Sequence, residues 1–525
     1  MGNYINRGNL EFAQARNSIY IDKSGLIAVV NSTLNTEQRR SCVTRSRRFG
    51  KSMAANMLCA YYDRSCDSRS LFADLEIAQD PSFERYLNKF PVIKLDITDF
   101  TTRYKNNSTI VDKIQEALKA DIQKAYSEII PDEFEDDFME MLTKINQETG
   151  DSFIMIIDEW DAICREFDPK SEAMDSYVNW LRRMFKGNNS MRIFAGVYMT
   201  GILPIKKYNT ESALNNFFEY SMVSPAGMAK YLGFTKEEVR NLCEEKDRDF
   251  DEMEQWYDGY IIGNQKSMFN PNSVIMSLLR NECSSFWAST GAYDMVSTYI
   301  MMNFDGLKDD ILSMLAGARR PVKVAKFSND MHDIKSKDDV LTVLIHLGYL
   351  AYDPQTRKCF IPNFEVKQEL ENAIEDSNWR IAETISNSSD LLDATLAGNA
   401  NAVASAIDKA HDENTSILSY NDENSLACVL TIAYIYAQND YIMHRELPTG
   451  KGFADLVLIP RKNIDSPAIL LELKYNKDAD AAIDQIKRKD YVGKVSEYSG
   501  NILLVGINYD KGSKSHSCII EEVEI

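Results

Sequence analysis

The stretch "TRSRRFGKSM", residues 44–53, constrains the fold of this 525-residue chain more than any other. It follows the short apolar run 41–43 and precedes Met57, Leu58 and Tyr61, which recur at helical spacing. The stretch therefore lies where a strand becomes a helix. Because the first amides of a helix bind anionic oxygens, this junction is typical of a phosphate-binding loop.

The residues of this loop suit a nucleotide and a magnesium ion. Gly50 allows close backbone approach, Lys51 reaches the β and γ phosphates, and Ser52 is a magnesium ligand. The first glycine of the usual GxxxxGK[ST] pattern is missing, because Arg45 stands in its place. The loop pattern alone can therefore arise by chance. The residues predicted to bind ATP here are Arg48, Phe49, Gly50, Lys51, Ser52 and Met53.

Two further apolar runs end in polar side chains. "DSFIMIIDEWDAI" (151–163) predicts a buried strand that ends at Asp158 and Glu159, and "MRIFAGVYMTGI" (191–202) predicts one that ends at Thr200. Ligands bind at the carboxyl ends of strands in open α/β folds. We therefore predict that Asp158 holds Mg²⁺, directly or through water, and that Glu159 orients the attacking water. Thr200 is placed to sense the γ phosphate.

The order of the elements predicts the fold class. "FPVIKLDIT" (90–98) adds another strand, so residues 1–225 alternate strands and helices and predict an α/β domain with a doubly wound parallel sheet. Residues 226–390 are mainly helical in pattern. Within them, "DDVLTVLIHLGYLAYDPQTRKCFIPNFEV" (338–366) predicts a helix, a strand, a turn and a second strand, as in a winged helix. His346, alone on an apolar helix, is predicted to be a core residue.

Residues 391–525 contain a hairpin that carries carboxylates and a lysine. In "KGFADLVLIPRKNIDSPAILLELKYNK" (451–477), Asp455 opens the first strand, and Glu472 and Lys474 close the second. Period-two geometry places Glu472 and Lys474 on one face. A buried carboxylate is costly unless it binds a metal or pairs with a cation. We therefore predict that Asp455 and Glu472 bind Mg²⁺ or Mn²⁺ and that Lys474 deprotonates or positions water.

Four segments of the first part resemble one known family. In order, "YIDKSGLI" (20–27), "TRSRRFGKS", "IIDEWDAI" and "TGILPIKK" (200–207) are similar to the AAA-ATPase-like family of bacterial proteins that carry a PD-(D/E)XK nuclease domain. The resemblance implies that the arginine-rich loop is a family trait and that "YIDKS" lies near the adenine. Arg45, Arg47 and Arg48 could add charge at the phosphates, act across a subunit boundary or have a surface role.

The last part resembles the PD-(D/E)XK core, a restriction-endonuclease-like α/β domain. By this resemblance Glu423 or Glu446 is the first acidic residue and metal ligand, and Gln485 lies on the helix that follows the second strand. Relatives commonly have GRxD where this chain has "GFAD". Phe453 thus replaces an arginine that contacts phosphate, and the loss of this contact would affect the affinity for the substrate.

Composition limits the partners. The formal charge of −20 argues against a protein that coats nucleic acid, because the phosphates repel a negative chain. Any contact with nucleic acid must therefore be local. The nine cysteines show no CxxC pair and fit free thiols in a reducing compartment. No targeting segment or membrane-spanning run is found, so we expect a cytoplasmic protein without membrane contact.

These observations predict a protein that binds or hydrolyses ATP and carries a metal-dependent nuclease domain acting on DNA or RNA. The order of the domains leads to the hypothesis that ATP licenses cleavage. One alternative is a nucleotide-sensing interaction protein whose nuclease-like domain is an inactive scaffold. Another is an ATPase motor or chaperone that has no nucleic-acid role. The kind of nucleic acid and homo-oligomerisation stay open.

Overall fold

The structure is a computed structural model. It describes residues 2–105, 107–131, 137–187, 189–205, 214–287, 304, 306–315, 317–328, 333–375, 381–413, 430, 433–434, 436–437, 440–449, 452–461, 464–488 and 501–524. The chain divides into two compact units, Met1–Ser289 with Pro321–Gln368 and Thr290–Arg320 with Glu369–Ile525. Within the described ranges, no helix has the length and apolar character that crossing a bilayer requires.

The first unit is built on a five-stranded sheet in which every pairing is parallel. Its strand order is β2-β3-β4-β1-β5. The strands are β1 (Arg40–Thr44), β2 (Val92–Asp96), β3 (Phe153–Asp158), β4 (Phe194–Gly201) and β5 (Phe218–Tyr220). The chain runs from β1 to the far edge and returns through β3 and β4. The carboxyl ends of β1, β3 and β4 are therefore neighbours.

Helices cover both faces of this sheet, which confirms the doubly wound α/β prediction. Met155 and Ile157 of β3 belong to one apolar core, whereas Ile154 and Ile156 belong to the core on the opposite face. A strand buried on both faces needs a continuous apolar run, which explains the sequence "FIMII". The α-helices here are Leu10–Arg16, Gly25–Thr33, Lys51–Tyr62, Arg69–Phe72, Phe83–Tyr86, Ile97–Arg103, Ile110–Ala125, Phe138–Thr149, Ala162–Glu166, Glu172–Lys186 and Ser190–Ile193.

The first unit also contains a second, smaller sheet and several short helices. The strands β6 (Phe234–Thr235), β7 (Tyr260–Ile262) and β8 (Gln265–Phe269) form a second sheet in the order β6-β8-β7. Around it lie the helices Lys236–Glu245, Phe250–Tyr257 and Pro271–Arg280. Short 3₁₀ helices span Glu76–Gln79, Ala226–Tyr231 and Val324–Lys326.

The predicted helix, strand, turn and strand near residue 350 are confirmed. The helix Lys337–Leu347 leads into the antiparallel pair β10 (Ala351–Asp353) and β11 (Lys358–Phe360). The short strand β9 (Arg320–Pro321) precedes them in the chain. Just after it, the Val322 amide donates to the Arg357 carbonyl at 3.1 Å, which joins this segment to the hairpin.

The second unit contains a mixed five-stranded sheet. Its order is β12-β13-β14-β15-β16, and only the β14 and β15 pair is parallel. The strands are β12 (Tyr441–Thr449), β13 (Gly452–Pro460), β14 (Ala468–Tyr475), β15 (Asn501–Asp510) and β16 (Ser515–Glu524). The helices are Leu307–Leu315, Ile381–Leu396, Ala400–Glu413 and Ala479–Arg488. A further helix, Phe364–Glu375, contains the point in the sequence at which the first unit ends and the second continues. The helix Ala479–Arg488 is the crossover between the parallel strands, as such a connection requires.

Two of the simpler expectations from sequence are also met. The described cysteines are all free, and Cys42, Cys59, Cys243 and Cys359 are buried. His346 is 1% exposed and its ring lies 6.2 Å from that of Phe327, so it is a core residue.

We predict that His346 makes the first unit less stable in mild acid. Burial lowers the pKa of His346 to about 4, whereas an unfolded histidine titrates near its ordinary value. The unfolded state therefore binds the extra proton first, and the free energy of unfolding should fall by about 2 kcal/mol from pH 7.5 to pH 5. Urea unfolding at both pH values measures this change.

His346→Leu should lose this part of the pH dependence. Leu341→Met, in the same helix, is the control, because it alters packing without removing a titrating group. Equal pH slopes in the wild type and in His346→Leu would contradict the prediction.

Candidate functional site

The phosphate loop joins β1 to the helix Lys51–Tyr62, as the sequence predicts. Gly50 caps this helix in the left-handed conformation with φ +85°. A Cβ added there would meet no atom within 4 Å. Glycine is thus favoured by the backbone angle and not by lack of space. Arg48 is also left-handed, with φ +65°, so the loop turns sharply just before the helix begins.

A cavity of about 740 Å³ lies over this loop. That volume is within the usual range for small-molecule sites. All of the predicted loop residues line it, namely Arg48, Phe49, Gly50, Lys51, Ser52 and Met53. Another part of the lining forms an apolar wall, because Ile21, Phe234 and Ile275 line the cavity and belong to one apolar cluster. The cavity therefore has a polar floor that suits phosphates and an apolar wall that suits a flat ring.

The strand-end residues Asp158, Glu159 and Thr200 lie together at the sheet edge. The Thr200 hydroxyl donates a hydrogen bond to Asp158 Oδ1. Asp158 is 2% exposed and Thr200 is fully buried, and neither lines the cavity. Glu159 does line it, so of the three only Glu159 faces the space that a ligand would fill.

Glu159 lies between two cations. Its carboxylate is 3.3 Å from Lys51 Nζ and 2.7 Å from Arg165 Nη2. Burial opposes ionisation, but Lys51 and Arg165 outweigh it and hold the pKa of Glu159 below its usual range. The side chain is therefore an acceptor of protons or hydrogen bonds at neutral pH.

Asp96 and Arg165 are among the cavity residues that the sequence analysis missed. Asp96 ends β2 in register with Asp158, and burial followed by repulsion from Asp158 raises its pKa. Its signal was present, since "VIKLD" is an apolar run that ends in a carboxylate just as β3 does. Arg165 lies in the helix Ala162–Glu166, and a single arginine in a short helix gives no sequence signal.

Arg45, at the position of the missing glycine, has a structural role. It is fully buried, and its guanidinium donates to the carbonyls of Thr44 at 2.8 Å, Tyr220 at 2.9 Å and Met228 at 3.3 Å. Burial lowers its pKa to about 10, so it stays charged at neutral pH. A surface role is therefore wrong for Arg45, and it does not line the cavity. Arg47 and Arg48 do line it.

In the second unit, the hairpin brings Asp455, Glu472, Lys474 and Gln485 together. Lys474 Nζ lies 3.1 Å from Glu472 Oε1, and the Gln485 amide donates to the same oxygen. Asp455 Oδ2 accepts from the Leu473 amide at 2.7 Å. Glu472 and Lys474 are 1% and 6% exposed, so the pair is buried.

The two faces of β14 agree with the period-two prediction. Leu471 and Leu473 pack in one apolar cluster, and Leu470 packs with Ile483 on the face that carries the helix Ala479–Arg488. Glu472 contacts Gln485 of that same helix. The polar set thus occupies one face of the strand, next to its crossover helix.

The donor atoms of this set fit a hard divalent cation. The β13 and β14 register pairs Leu456 with Leu471, and its continuation places Asp455 opposite Glu472. Carboxylate oxygens on neighbouring strands are ligands that Mg²⁺ and Mn²⁺ prefer. Among the residues described, no group of three or more His, Cys, Asp or Glu side chains is arranged so that it could hold a metal ion.

The register of the second sheet gives the backbone position of Glu446, one of the two candidates for the first acidic residue. Glu446 lies in β12, between the pairs Arg445 with Leu456 and Leu447 with Ala454. This register puts its backbone at the level of Asp455, and its side chain is outside the description. Glu423 lies outside the described residues, as does the Phe453 side chain.

Comparison with known families gives two matches. Residues 8–210 match an AAA-ATPase-like family described as "Predicted AAA-ATPase", and residues 421–518 match the PD-(D/E)XK nuclease superfamily. No curated protein shows significant similarity to the chain. The two matches confirm the resemblance drawn from the motifs, and they agree with the parallel sheet of the first unit and the mixed sheet of the second.

We predict that restoring the missing glycine weakens the fold. Arg45→Gly removes three hydrogen bonds to buried carbonyls and leaves a cavity, so the free energy of unfolding should fall by about 3 kcal/mol or more. Arg47→Gly is the matched variant from the same loop. It should lower affinity for ATP with a smaller loss of stability, because Arg47 lines the cavity.

Urea unfolding and calorimetric titration of both variants provide the comparison. If Arg45→Gly were as stable as the wild type, the structural role of Arg45 would be wrong.

Proposed function

We propose that this chain, which joins an AAA-ATPase-like domain to a PD-(D/E)XK nuclease superfamily domain, hydrolyses ATP and cleaves nucleic-acid phosphodiesters. The observation that carries the first activity is the contact of the loop lysine, Lys51, with the strand-end carboxylate, Glu159, inside the cavity. The free cysteines suit a reducing compartment such as the bacterial cytoplasm. As functional modules we propose residues 1–225, 226–390 and 391–525.

In the proposed ATP site, the phosphates lie on the loop. The amides at the start of the helix Lys51–Tyr62 and the Lys51 ammonium bind their oxygens. Ser52 and Asp158 would hold Mg²⁺, and because Asp158 does not line the cavity, its contact with the ion would be through water. Bound Mg²⁺ would neutralise charge on the phosphate oxygens. Glu159 would accept a hydrogen bond from the attacking water and so orient it.

The adenine is proposed to lie against the apolar wall. Ile21, Phe234 and Ile275 contribute this wall, and Tyr20 and Lys23 of the segment "YIDKS" also line the cavity. Lys23 is held by an ion pair of 2.7 Å to Glu238. These contacts support the position of the segment near the base.

In the proposed nuclease site, Asp455 and Glu472 would hold Mg²⁺ or Mn²⁺, with Glu423 or Glu446 as the further ligand. The ion would polarise the phosphodiester and lower the pKa of bound water. Lys474 would stabilise charge that develops during attack. Gln485 donates to Glu472 and would thereby orient it. The buried ion pair of Glu472 and Lys474 supports this proposal, because such a pair is costly without a function or a compensating network.

One observation favours an alternative for the second unit. The charge of −20 opposes approach to nucleic acid, which fits a scaffold that recognises a partner and no longer cleaves. Cleavage assays decide between the two.

We expect ATP·Mg²⁺ to bind the wild type and not Lys51→Ala. Loss of a charge-assisted contact to phosphate should weaken binding by roughly 30-fold or more. Lys89→Ala is the control, since Lys89 is exposed in the same unit and does not line the cavity. Calorimetric titration measures the affinities, and a wild type that does not bind would leave the second unit as the only candidate for chemistry.

We expect metal-dependent cleavage that Lys474→Ala abolishes. The substrates are single- and double-stranded DNA and RNA, each with Mg²⁺, with Mn²⁺ and with EDTA. Loss of Lys474 should slow cleavage by roughly 100-fold. Lys477→Ala is the matched control, because Lys477 is exposed three residues further on. Cleavage that persists in Lys474→Ala, or that ignores EDTA, would rule out the proposed site.

A further inference from the structure

Arg165 forms part of the wall of the nucleotide cavity and contacts two acidic residues. Its Nη2 atom lies 2.7 Å from Glu159 Oε2, and its Nε atom lies 3.1 Å from Asp161 Oδ2. The side chain is only 6% exposed, although it lines the cavity. Arginine suits this place because its planar group reaches the two carboxylates through two separate nitrogen atoms, whereas a lysine has a single nitrogen.

Asp161 anchors this arginine to the sheet. It is fully buried, and Oδ2 accepts from the amides of Leu203 at 2.9 Å and Ile202 at 3.2 Å. These amides directly follow β4. A Cβ on Gly201 would come within 2.5 Å of Asp161 Oδ1, so the carboxylate is also held by close packing. The position of Arg165 is therefore set by the end of β4.

The backbone of Glu159 is fixed, whereas its carboxylate depends on cations. Glu159 has φ +50°, a left-handed angle that a non-glycine residue adopts at some cost. The Trp160 amide donates to the Thr200 carbonyl at 2.8 Å, which holds the turn. The carboxylate itself is shared by Lys51 and Arg165.

The phosphates of a bound nucleotide would change the contacts of the Glu159 carboxylate with Lys51 and Arg165. The other contact of Lys51 Nζ is the neutral Ser46 carbonyl at 3.1 Å, so Lys51 can turn to a phosphate oxygen. Arg165 also forms an ion pair with the buried Asp161, and this second partner favours its present position beside Glu159. Glu159 would then keep Arg165 as the cation in direct contact with it, whereas Arg47 acts on it electrostatically from the same cavity lining. The contact with Arg165 would decide where the carboxylate lies.

We propose that Arg165 is the positioning residue of the ATP site, which holds the Glu159 carboxylate in place for the attacking water once phosphate engages Lys51. The inference rests on the proposed ATPase function and adds a residue that acts through Glu159. Arg165 does not itself need to touch the reacting atoms.

A double-mutant cycle tests this role. Arg165→Lys keeps the charge but has one nitrogen in place of the two that lie next to Glu159 and Asp161, so kcat at saturating ATP·Mg²⁺ should fall by roughly 10-fold or more. In a Glu159→Gln background the same change should lower kcat less than about 2-fold further, because residues that act as a unit are not additive. A merely structural role would reduce kcat by the same factor in both backgrounds.

Two further variants provide a second test and a control. Asp161→Asn removes the anchor, keeps the shape of the side chain and should reproduce the loss of kcat if Arg165→Lys fails to fold. Arg183→Lys changes an exposed arginine of the helix Glu172–Lys186 and should leave kcat unchanged. Calorimetric ATP affinities within about 3-fold of the wild type would show that the site is intact.

The outcomes separate this inference from the function on which it rests. Non-additive losses support both. Equal losses of kcat in the two backgrounds, or no loss, overturn the role of Arg165 and leave the ATPase proposal standing. A wild type that binds ATP without hydrolysing it overturns both.

Discussion

The parallel pairing of β1 with β4 and of β4 with β3 is the constraint on which the nucleotide site depends. Thr44 pairs with Gly201, and Ile157 pairs with Met199, so the phosphate loop and the acidic end of β3 reach the same edge. Hydrogen bonds of the sheet set these positions to within a residue, because a slip of one residue would turn every side chain to the other face. The contact of Lys51 with Glu159 follows from that register.

Both candidate sites hold a carboxylate with low exposure in contact with a cation. Glu159 is compensated by Lys51 and Arg165, and Glu472 by Lys474 and the Gln485 amide. An uncompensated buried charge costs several kcal/mol in proteins, on the order of 3–5 when a partner is removed. At Glu159 the cations therefore have two effects, since they lower the pKa of the carboxyl group and also determine the direction in which it points.

Residues further along the chain contact the loop that lacks the usual glycine and stabilise it. The Phe49 ring lies 5.1 Å from that of Tyr260, edge to face. The Arg48 guanidinium donates to the Phe286 carbonyl at 2.5 Å, and a Cβ on Gly348 would come within 2.6 Å of Ser46 Cβ. These contacts, with buried Arg45, hold the loop through side chains where a glycine-rich loop relies on its own tight backbone.

The sequence by itself determined the strands, the phosphate loop and the face of the hairpin that carries Glu472 and Lys474. These features depend on local periodicity and on the side chains nearest in the chain. The tertiary structure alone decided that Asp96 lies beside Asp158, that Arg45 is buried against Tyr220 and Met228, and that Asp158 is hidden from the cavity while Glu159 faces it. Those outcomes depend on strand order and on which surfaces exclude water, and such contacts join residues far apart in sequence. A pattern of neighbouring residues can indicate that a strand ends in a carboxylate, but it does not indicate which strand lies beside it or which side chains are buried.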